Sequence, residues 1–291
     1  MLAIPEDGPV NRAPEVYAPG MPDEREPAGD GVEALRMHCT SIGFDLEAAG
    51  HSLVERMQLL AEHSKAFDDA TRMASYAQRI FRHYDTTRPA EAFNALERQT
   101  IVLACLFSDI GKTGPVDADS EARRLVAQMF AVENVRDDTQ TVASFLHTHF
   151  PDDAHERIAR FRGLGLDTGM SVRQFWNLHS DWTLAIAEAA GLPPEAAVAA
   201  ATHHLLDDVN PRAIVGADGH FTRDFGKNAC FDRIEKLVIL LDKYDAARRR
   251  GGRTHAEAIG WLGDRIASTR FRDDRELLSL LADVDVVLGE A

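Results

Sequence analysis

The chain has 291 residues, of which 45% are apolar, and its 47 acidic and 32 basic side chains give a formal net charge of −15. A chain of this length buries a sizeable core in one large or two modest domains without disulfide staples. The negative charge repels a phosphate backbone, so the composition argues against a nucleic-acid-binding surface and makes a metal ion the more natural partner.

The cysteines and the apolar runs exclude further classes of protein. Cys39, Cys105 and Cys230 are far apart and form no CxxC pair, so neither a disulfide framework nor a zinc ribbon is indicated. The longest apolar run covers residues 101–107, much shorter than the roughly 20 residues that span a bilayer, and no signal-peptide pattern opens the chain. We therefore expect a cytoplasmic protein with no membrane partner.

The order of elements follows from composition and periodicity. Residues 1–30 are rich in proline and acidic side chains, with sparse apolar residues, and are predicted to form a disordered tail. Residues 31–291 are predicted to form one helical domain, in which residues 31–65 are either the first part or a separate helical lead-in. Since no alternating β-branched pattern of useful length occurs, the predicted fold class is all-α.

Individual helices are predicted from apolar residues at three- and four-residue spacing and from Gly and Pro breaks between them. The predicted ranges are 32–37, 46–60, 73–81, 92–107, 120–132, 139–150, 172–190, 194–206, 232–249, 254–266 and 274–288.

Polar groups on apolar backgrounds are the candidates for chemistry. Asp109 directly follows the apolar run, where a carboxylate needs a cation, a hydrogen-bond donor or a metal; the alternative is a helix-ending Asp paired with Lys112. His179 alone is most often a structural histidine. His203 and His204 diverge by about 100° on a regular helix, so they serve one site only if the helix ends or bends there.

A second acidic feature lies on the helix predicted over 232–249. Its apolar stripe includes Ile234 and Leu241; Asp245 falls about 20° from the stripe and Asp242 about 80° from it. Acidic side chains on or beside an apolar stripe are unfavourable unless they have a binding partner. Salt bridges from residues 248 and 249, both arginines, are the simpler explanation for them.

The order of these motifs resembles the HD superfamily of metal-dependent phosphohydrolases, and most closely its HD-GYP branch. The matching pieces are DIGK at 109–112, a single His at 179, HisHis at 203–204, DKYDA at 242–246 and RRRGGRTHAEAI at 248–259. The resemblance covers residues 68–285. It implies an all-helical bundle holding one to three metal ions, usually Fe or Mn, that activate water against a phosphoester, usually of a cyclic dinucleotide.

The resemblance also implies roles for individual residues. The metal ligands it implies are Asp109, His179, His203, His204 and Asp242. Lys112 matches a lysine that contacts substrate phosphate. Arg249, Arg250 and Arg253 belong to a basic island in an acidic chain, which is either a phosphate-binding group or a solvated loop.

The sequence departs from the family pattern at three places. Ser108 replaces the His of the HD doublet, Ala74 aligns with an earlier family His, and LLDDVNP at 205–211 replaces the GYP stretch. The metal ion that is bound in the family by the two replaced histidines would lose both of these nitrogen donors. A second ion, served by Asp109, His179 and either His203 or His204, keeps about three protein ligands and open positions for water.

Two functions are therefore expected from different classes. The first is a metal-dependent phosphohydrolase or phosphodiesterase that acts on a nucleotide or other phosphoester with one or two Fe or Mn ions. The alternative is a catalytically inactive HD-like domain without metal that binds a nucleotide or a regulatory protein, or assembles as a homo-oligomer. A structural helical domain without any ligand ranks third. The remaining histidine pair, His147 and His149, is expected on the surface.

Overall fold

The computed structural model of the chain describes residues 28–133, 135–207, 211, 214 and 231–289. Within these ranges the protein is an all-α bundle, which confirms the predicted fold class; the only β-pairing described there is an isolated bridge between Thr141 and Ser171. Residues 1–27 of the predicted tail lie outside the described residues, whereas residues 28–30, which were predicted to belong to it, begin helix α1. The helices are α1 (Ala28–Ser41), α2 (His51–His63), α3 (Ala66–Thr87), α4 (Ala95–Phe107), α5 (Ser120–Phe130), α6 (Val142–His149), α7 (Ala154–Gly163), α8 (Val172–Ala189), α9 (Pro194–Ala201), α10 (Arg233–Arg249), α11 (His255–Ala267) and α12 (Arg275–Gly289).

Most helices begin and end within a few residues of their predicted positions, but α2 begins at His51 and not at residue 46, and α3, predicted over 73–81, runs over Ala66–Thr87. Two further differences are instructive. Helix α7 was not predicted, because its segment AHERIARFRG offers few apolar positions; Ala154, Ile158 and Phe161 are the ones it buries. Helix α9 was predicted to run to residue 206 but ends at Ala201, and a turn and a short 3-10 helix, Leu205–Asp207, follow it. The end of α9 matters for the site below.

Helix α4 forms the centre of the bundle. Its second half, residues 100–107, is completely buried and packs against α3, α9 and α10. Helix α10 is buried on nearly all sides, so the single apolar stripe expected for it is not observed; Glu235, Lys236 and Lys243 are among its buried residues. Charged side chains in such a position need partners within the protein.

Local sequence signals fix the starts of several helices. In a capping box the first side chain accepts a bond from the backbone of the fourth residue, whose own side chain bonds back. Such boxes begin α4, α8, α10 and α11, through Asn94 and Glu97, Ser171 and Gln174, Asp232 and Glu235, and Thr254 and Glu257.

Arg56 of α2 anchors the loop that follows α4. Its side chain is buried and donates to Thr113 Oγ1 at 2.6 Å, to Pro115 O at 2.9 Å and to Val116 O at 3.0 Å. Burial lowers the pKa of Arg56 to about 10, so the guanidinium stays charged at neutral pH. This arginine therefore fixes the course of the loop.

Among the described residues no helix is both long and apolar enough to cross a membrane. Cys39 and Cys105 are buried free thiols, while Cys230 lies outside the described residues. Burial raises the pKa of Cys39 to about 12, and burial together with nearby Asp242 raises that of Cys105. Neither thiol is therefore ready to act as a thiolate ligand.

Candidate metal centre

Four metal-compatible side chains from three parts of the chain meet in the interior. Asp109 follows α4, His179 lies within α8, and His203 and His204 lie in the turn after α9. One ligand atom from each of the four lies within 4.8 Å of the others. Because α9 ends at Ala201, the two adjacent histidines leave the regular helix and can face the same place. This meets the condition, stated from the sequence, under which both can serve one site.

The position of Asp109 depends on a close contact between two elements. After α4 ends at Phe107, the chain forms a 3-10 helix, Ile110–Thr113, that packs directly on α8. The Gly111 N–H donates to Thr183 Oγ1 at 3.0 Å, and this hydroxyl donates to Ser108 O at 2.9 Å. A Cβ on Gly111 would lie 2.0 Å from the carbonyl oxygen of His179, so only glycine fits here.

Two of the imidazole rings are oriented by backbone carbonyl groups. His179 Nδ1 lies 2.5 Å from Trp176 O, and His203 Nδ1 lies 2.6 Å from Ala200 O. A carbonyl oxygen only accepts, so Nδ1 carries the proton and donates in both rings, and each Nε2 of the neutral ring presents a lone pair. The two Nε2 atoms are 3.4 Å apart and cannot bond to each other in this state. In metal sites the ligating ring nitrogen faces the ion while the other ring nitrogen donates to a carbonyl or carboxylate oxygen. Both rings have this arrangement.

The third ligand atom is Oδ1 of Asp109. It lies 3.5 Å from His203 Nε2 and 4.0 Å from His179 Nε2, is buried, and makes no hydrogen bond within the described part of the chain. Atoms bound to one ion at about 2.1 Å are roughly 3.0–4.2 Å apart, so all three separations suit a single ion between them. A buried carboxylate oxygen facing two lone pairs is unfavourable unless a cation lies among them.

Lys112 holds the other oxygen of the same carboxylate. Its Nζ donates to Asp109 Oδ2 at 2.7 Å, so the helix-end ion pair considered from the sequence is present. Burial by itself raises the pKa of Asp109, but Lys112, with His203 and His179, holds it well below its ordinary value. The carboxylate is therefore ionised, with Oδ2 paired and Oδ1 available.

His204 and Asp242 engage a different cation. Lys243 Nζ lies 2.5 Å from His204 Nδ1, 2.9 Å from Asp242 Oδ2 and 2.6 Å from Asp207 Oδ2. Because Nδ1 of His204 accepts from the ammonium, the proton of the neutral ring lies on Nε2. Asp242 is thus beside the four-residue cluster, 3.9 Å from His204 Nδ1, and not part of it.

The two positions where the family pattern has histidine carry no ligand. Ala74 is completely buried in α3, and the Ser108 hydroxyl donates to the carbonyl oxygen of Cys105. Near Ala74 an ion-pair network links α3 to α10 instead. Arg72 bridges Asp69 and Asp245, at 2.5 and 2.8 Å.

The three candidate arginines of the basic island differ in their surroundings. Arg249 pairs with Asp69 and lies 3.6 Å from Asp245, which confirms the simpler explanation for Asp245. Arg253 stacks on Trp261 of α11. Burial by itself lowers the pKa of Arg250, yet the carboxylates of Asp109, Asp69 and Asp242 raise it, and its Nη2 pairs with Asp69 Oδ2 at 3.3 Å. The surface position expected for His147 and His149 is confirmed.

Two histidines of the cluster, His179 and His204, have pKa values that keep their rings neutral. Burial and the neighbouring imidazoles lower the pKa of His179 well below 6.5, and burial with His203 and Lys243 lowers that of His204 to about 3. A neutral imidazole does not have to lose a proton before it binds a metal ion.

We therefore expect weak competition by protons for metal binding. Between pH 7.5 and 5.5 the affinity for Mn²⁺ should fall by no more than about tenfold, whereas two ligand imidazoles titrating at 6.5 would lower it by about 100-fold. Calorimetric titration of the metal-free protein with Mn²⁺ at both pH values measures this ratio. A loss of 100-fold or more would contradict the lowered pKa of His179.

Several residues that build the centre were not found from the sequence. Asp207 and Lys243 lie next to predicted site residues, but nothing in the pattern indicates that the lysine points inward. No sequence pattern distinguishes Thr183 from other residues of its helix. Gly111 carried the clearest available signal, because a glycine directly after a buried turn often marks a close backbone approach.

Comparisons with known proteins do not assign the chain to a family. No protein-family model matches the chain, and no curated protein or solved structure matches it either. The structure therefore shows an all-α protein with a buried cluster of one aspartate and three histidines that could hold a metal ion.

Proposed function

We propose that the protein is a metal-dependent phosphoester hydrolase, the activity implied by its resemblance to the HD superfamily. The observation that carries the proposal is the Oδ1 atom of Asp109, a buried carboxylate oxygen without a hydrogen bond among the described residues, which faces two imidazole lone pairs. Lys112 binds the other oxygen of this carboxylate, and the charge of Asp109 helps to raise the pKa of Arg250. This combination favours an anionic substrate at a metal.

The donor set fits a divalent transition metal. Asp109, His179 and His203 would hold the ion, and His204 is the fourth member of the cluster. Mixed nitrogen and oxygen ligands suit Mn, Fe, Co, Ni or Zn, and Fe or Mn are the ions that the resemblance implies. Three protein ligands leave positions open for water and substrate, as in catalytic metal sites.

The chain's own residues supply binding and orientation. When bound, a divalent ion supplies a Lewis acid and lowers the pKa of a coordinated water. Lys112 fixes the carboxylate of Asp109 through Oδ2. Lys112 and Arg250 offset the negative charge of a phosphoryl group, which grows on its oxygens in the transition state. Burial of the cluster excludes bulk water and strengthens these interactions.

The substrate class that we propose is a phosphoester, with nucleotides included. We do not extend it to a cyclic dinucleotide, since the GYP stretch is replaced by residues 205–211, of which 208–210 lie outside the described residues. Arg250 is the member of the basic island that we assign to substrate phosphate. Arg249 is held by Asp69 and lies beside Asp245, whereas Arg250 contacts Asp69 at 3.3 Å and its side chain is 53% exposed.

The test is hydrolysis of bis(p-nitrophenyl) phosphate and p-nitrophenyl phosphate by the Mn²⁺- and Fe²⁺-loaded protein, with and without EDTA. We expect EDTA-sensitive turnover. Lys112→Ala should lower kcat by about 10- to 100-fold while metal content stays the same. The matched control is Lys65→Ala, which removes an exposed lysine paired with Glu133.

The alternative function, an inactive nucleotide-binding or regulatory module, is favoured by one observation. Lys112 already supplies a cation to Asp109, and Ser108 and Ala74 supply no ligand. Thermal stabilisation by a nucleotide, without turnover in fully metal-loaded protein, would establish this module and refute the hydrolase.

A further inference from the structure

Lys243 is a buried lysine whose surroundings resemble a metal site. It lies on α10, its side chain is 6% exposed, and it faces the 3-10 helix after the His203–His204 turn. Its ammonium meets three groups, Asp207 Oδ2, Asp242 Oδ2 and His204 Nδ1, at 2.6, 2.9 and 2.5 Å. The ammonium hydrogen-bonds to His204 and forms ion pairs with the two carboxylates, while Asp242 Oδ2 makes no hydrogen bond among the described residues.

The three acceptors have the chemistry of metal ligands. Two carboxylate oxygens and one imidazole nitrogen surround a single point, and each such group binds Mn, Fe or Zn in proteins. Their distances from Nζ exceed metal–ligand bonds by about 0.4–0.8 Å, so an inward movement of that size would produce coordination distances. We call the three residues around Nζ, namely Asp207, Asp242 and His204, the lysine pocket.

The charge balance shows what the ammonium does. The second oxygen of Asp207 pairs with Arg265 at 2.8 Å, so two carboxylates face two cations, Lys243 and Arg265. Without the ammonium one buried negative charge would remain unbalanced, next to a neutral imidazole. A buried carboxylate in that state requires another cation.

We infer that the ammonium of Lys243 is a built-in cation that fills a second metal pocket, so that the centre takes one exchangeable metal ion and not two. The inference rests on the proposed function in one respect, since the exchangeable ion is the one held by Asp109, His179 and His203. Because the lysine is part of the chain, the charge in the lysine pocket does not depend on metal supply.

The test compares two substitutions of the lysine. Lys243→Ala removes the charge and leaves space, whereas Lys243→Met removes the charge but fills a similar volume. At saturating Mn²⁺ we expect about one ion per chain for the natural protein and for Lys243→Met, and about two for Lys243→Ala, counted by elemental analysis after gel filtration. Asp242→Asn added to Lys243→Ala should return the count to about one.

Stability gives a second readout. The rise in Tm on adding Mn²⁺ should be larger for Lys243→Ala than for the natural protein, because an added ion replaces the missing charge. Two bound ions in the natural protein, or a folded Lys243→Ala that binds no more ions than the natural protein, would overturn the inference. So would a Lys243→Ala protein that stays unfolded at saturating Mn²⁺ while Lys243→Met folds.

The variant Lys243→Ala with Asp109→Asn separates this inference from the proposed function. It lacks a ligand of the first site but keeps the whole lysine pocket, so it should still bind one ion. If the natural protein bound no ion and Lys243→Ala bound one, the proposed hydrolase would be refuted while the inference about Lys243 remained.

Discussion

Replacement of Gly111 by alanine is expected to lower the free energy of unfolding by about 3 kcal/mol and the Tm by roughly 6–12 °C. The added Cβ would lie 2.0 Å from the carbonyl oxygen of His179, 2.6 Å from Thr183 N and 2.7 Å from Thr183 Oγ1. Two of these atoms belong to the backbone of α8, so no rotamer change relieves the contact. The 3-10 helix must move away from α8.

The same movement separates Asp109 from His179, so the affinity for Mn²⁺ should fall by at least about tenfold. Thermal unfolding of the metal-free protein and a Mn²⁺ titration measure the two effects. Gly260→Ala is the matched control, since Gly260 is exposed in α11 with open space around its Cβ, and alanine there should stabilise the helix by up to about 1 kcal/mol. Equal Tm and affinity in Gly111→Ala and the natural protein would contradict the described packing.

Asp109→Asn is expected to reduce Mn²⁺ affinity by at least about 100-fold. The substitution keeps the size of the side chain but removes the negative charge and leaves a poorer ligand atom opposite His179 and His203. It also deprives Lys112 of its ionic partner, which should lower the stability of the metal-free protein by about 1–3 kcal/mol. Calorimetry and denaturant unfolding give the two values.

The control for this substitution is Asp264→Asn, which removes an exposed carboxylate on α11. It should change neither metal affinity nor stability by more than about 0.5 kcal/mol. If Asp109→Asn bound Mn²⁺ as tightly as the natural protein, the carboxylate would serve only as the partner of Lys112, and the cluster would not be a metal centre.

The fold was predictable because its helices are encoded locally. Helical spacing of apolar residues and Gly or Pro breaks place most helices within a few residues, and local capping pairs such as Asn94 with Glu97 lie at their observed starts. The extent of α9 was not predictable in this way. Alanine-rich sequence continues the helical pattern, but Thr202 and His203 bond back to the carbonyl groups of Val198 and Ala200 as the helix ends.

The cluster was partly predictable from the order of its residues, whereas the use of its neighbouring cations was not. A lysine or arginine on a helix is usually solvated, and sequence spacing does not show that Lys243 and Arg56 point into the interior. Asp242 illustrates the consequence. The resemblance implies a metal ligand, yet the side chain pairs with Lys243, because the next residue of α10 brings an ammonium within 2.9 Å.

The metal stoichiometry of the purified protein tests the central claim most directly. After treatment with EDTA and addition of Mn²⁺ or Fe²⁺, elemental analysis should find about one ion per chain, and anomalous scattering should place it between Asp109 Oδ1 and the Nε2 atoms of His179 and His203. Less than about a tenth of an ion per chain at saturating Mn²⁺ and Fe²⁺, or an ion bound elsewhere with this cluster empty, would contradict a metal centre at these residues.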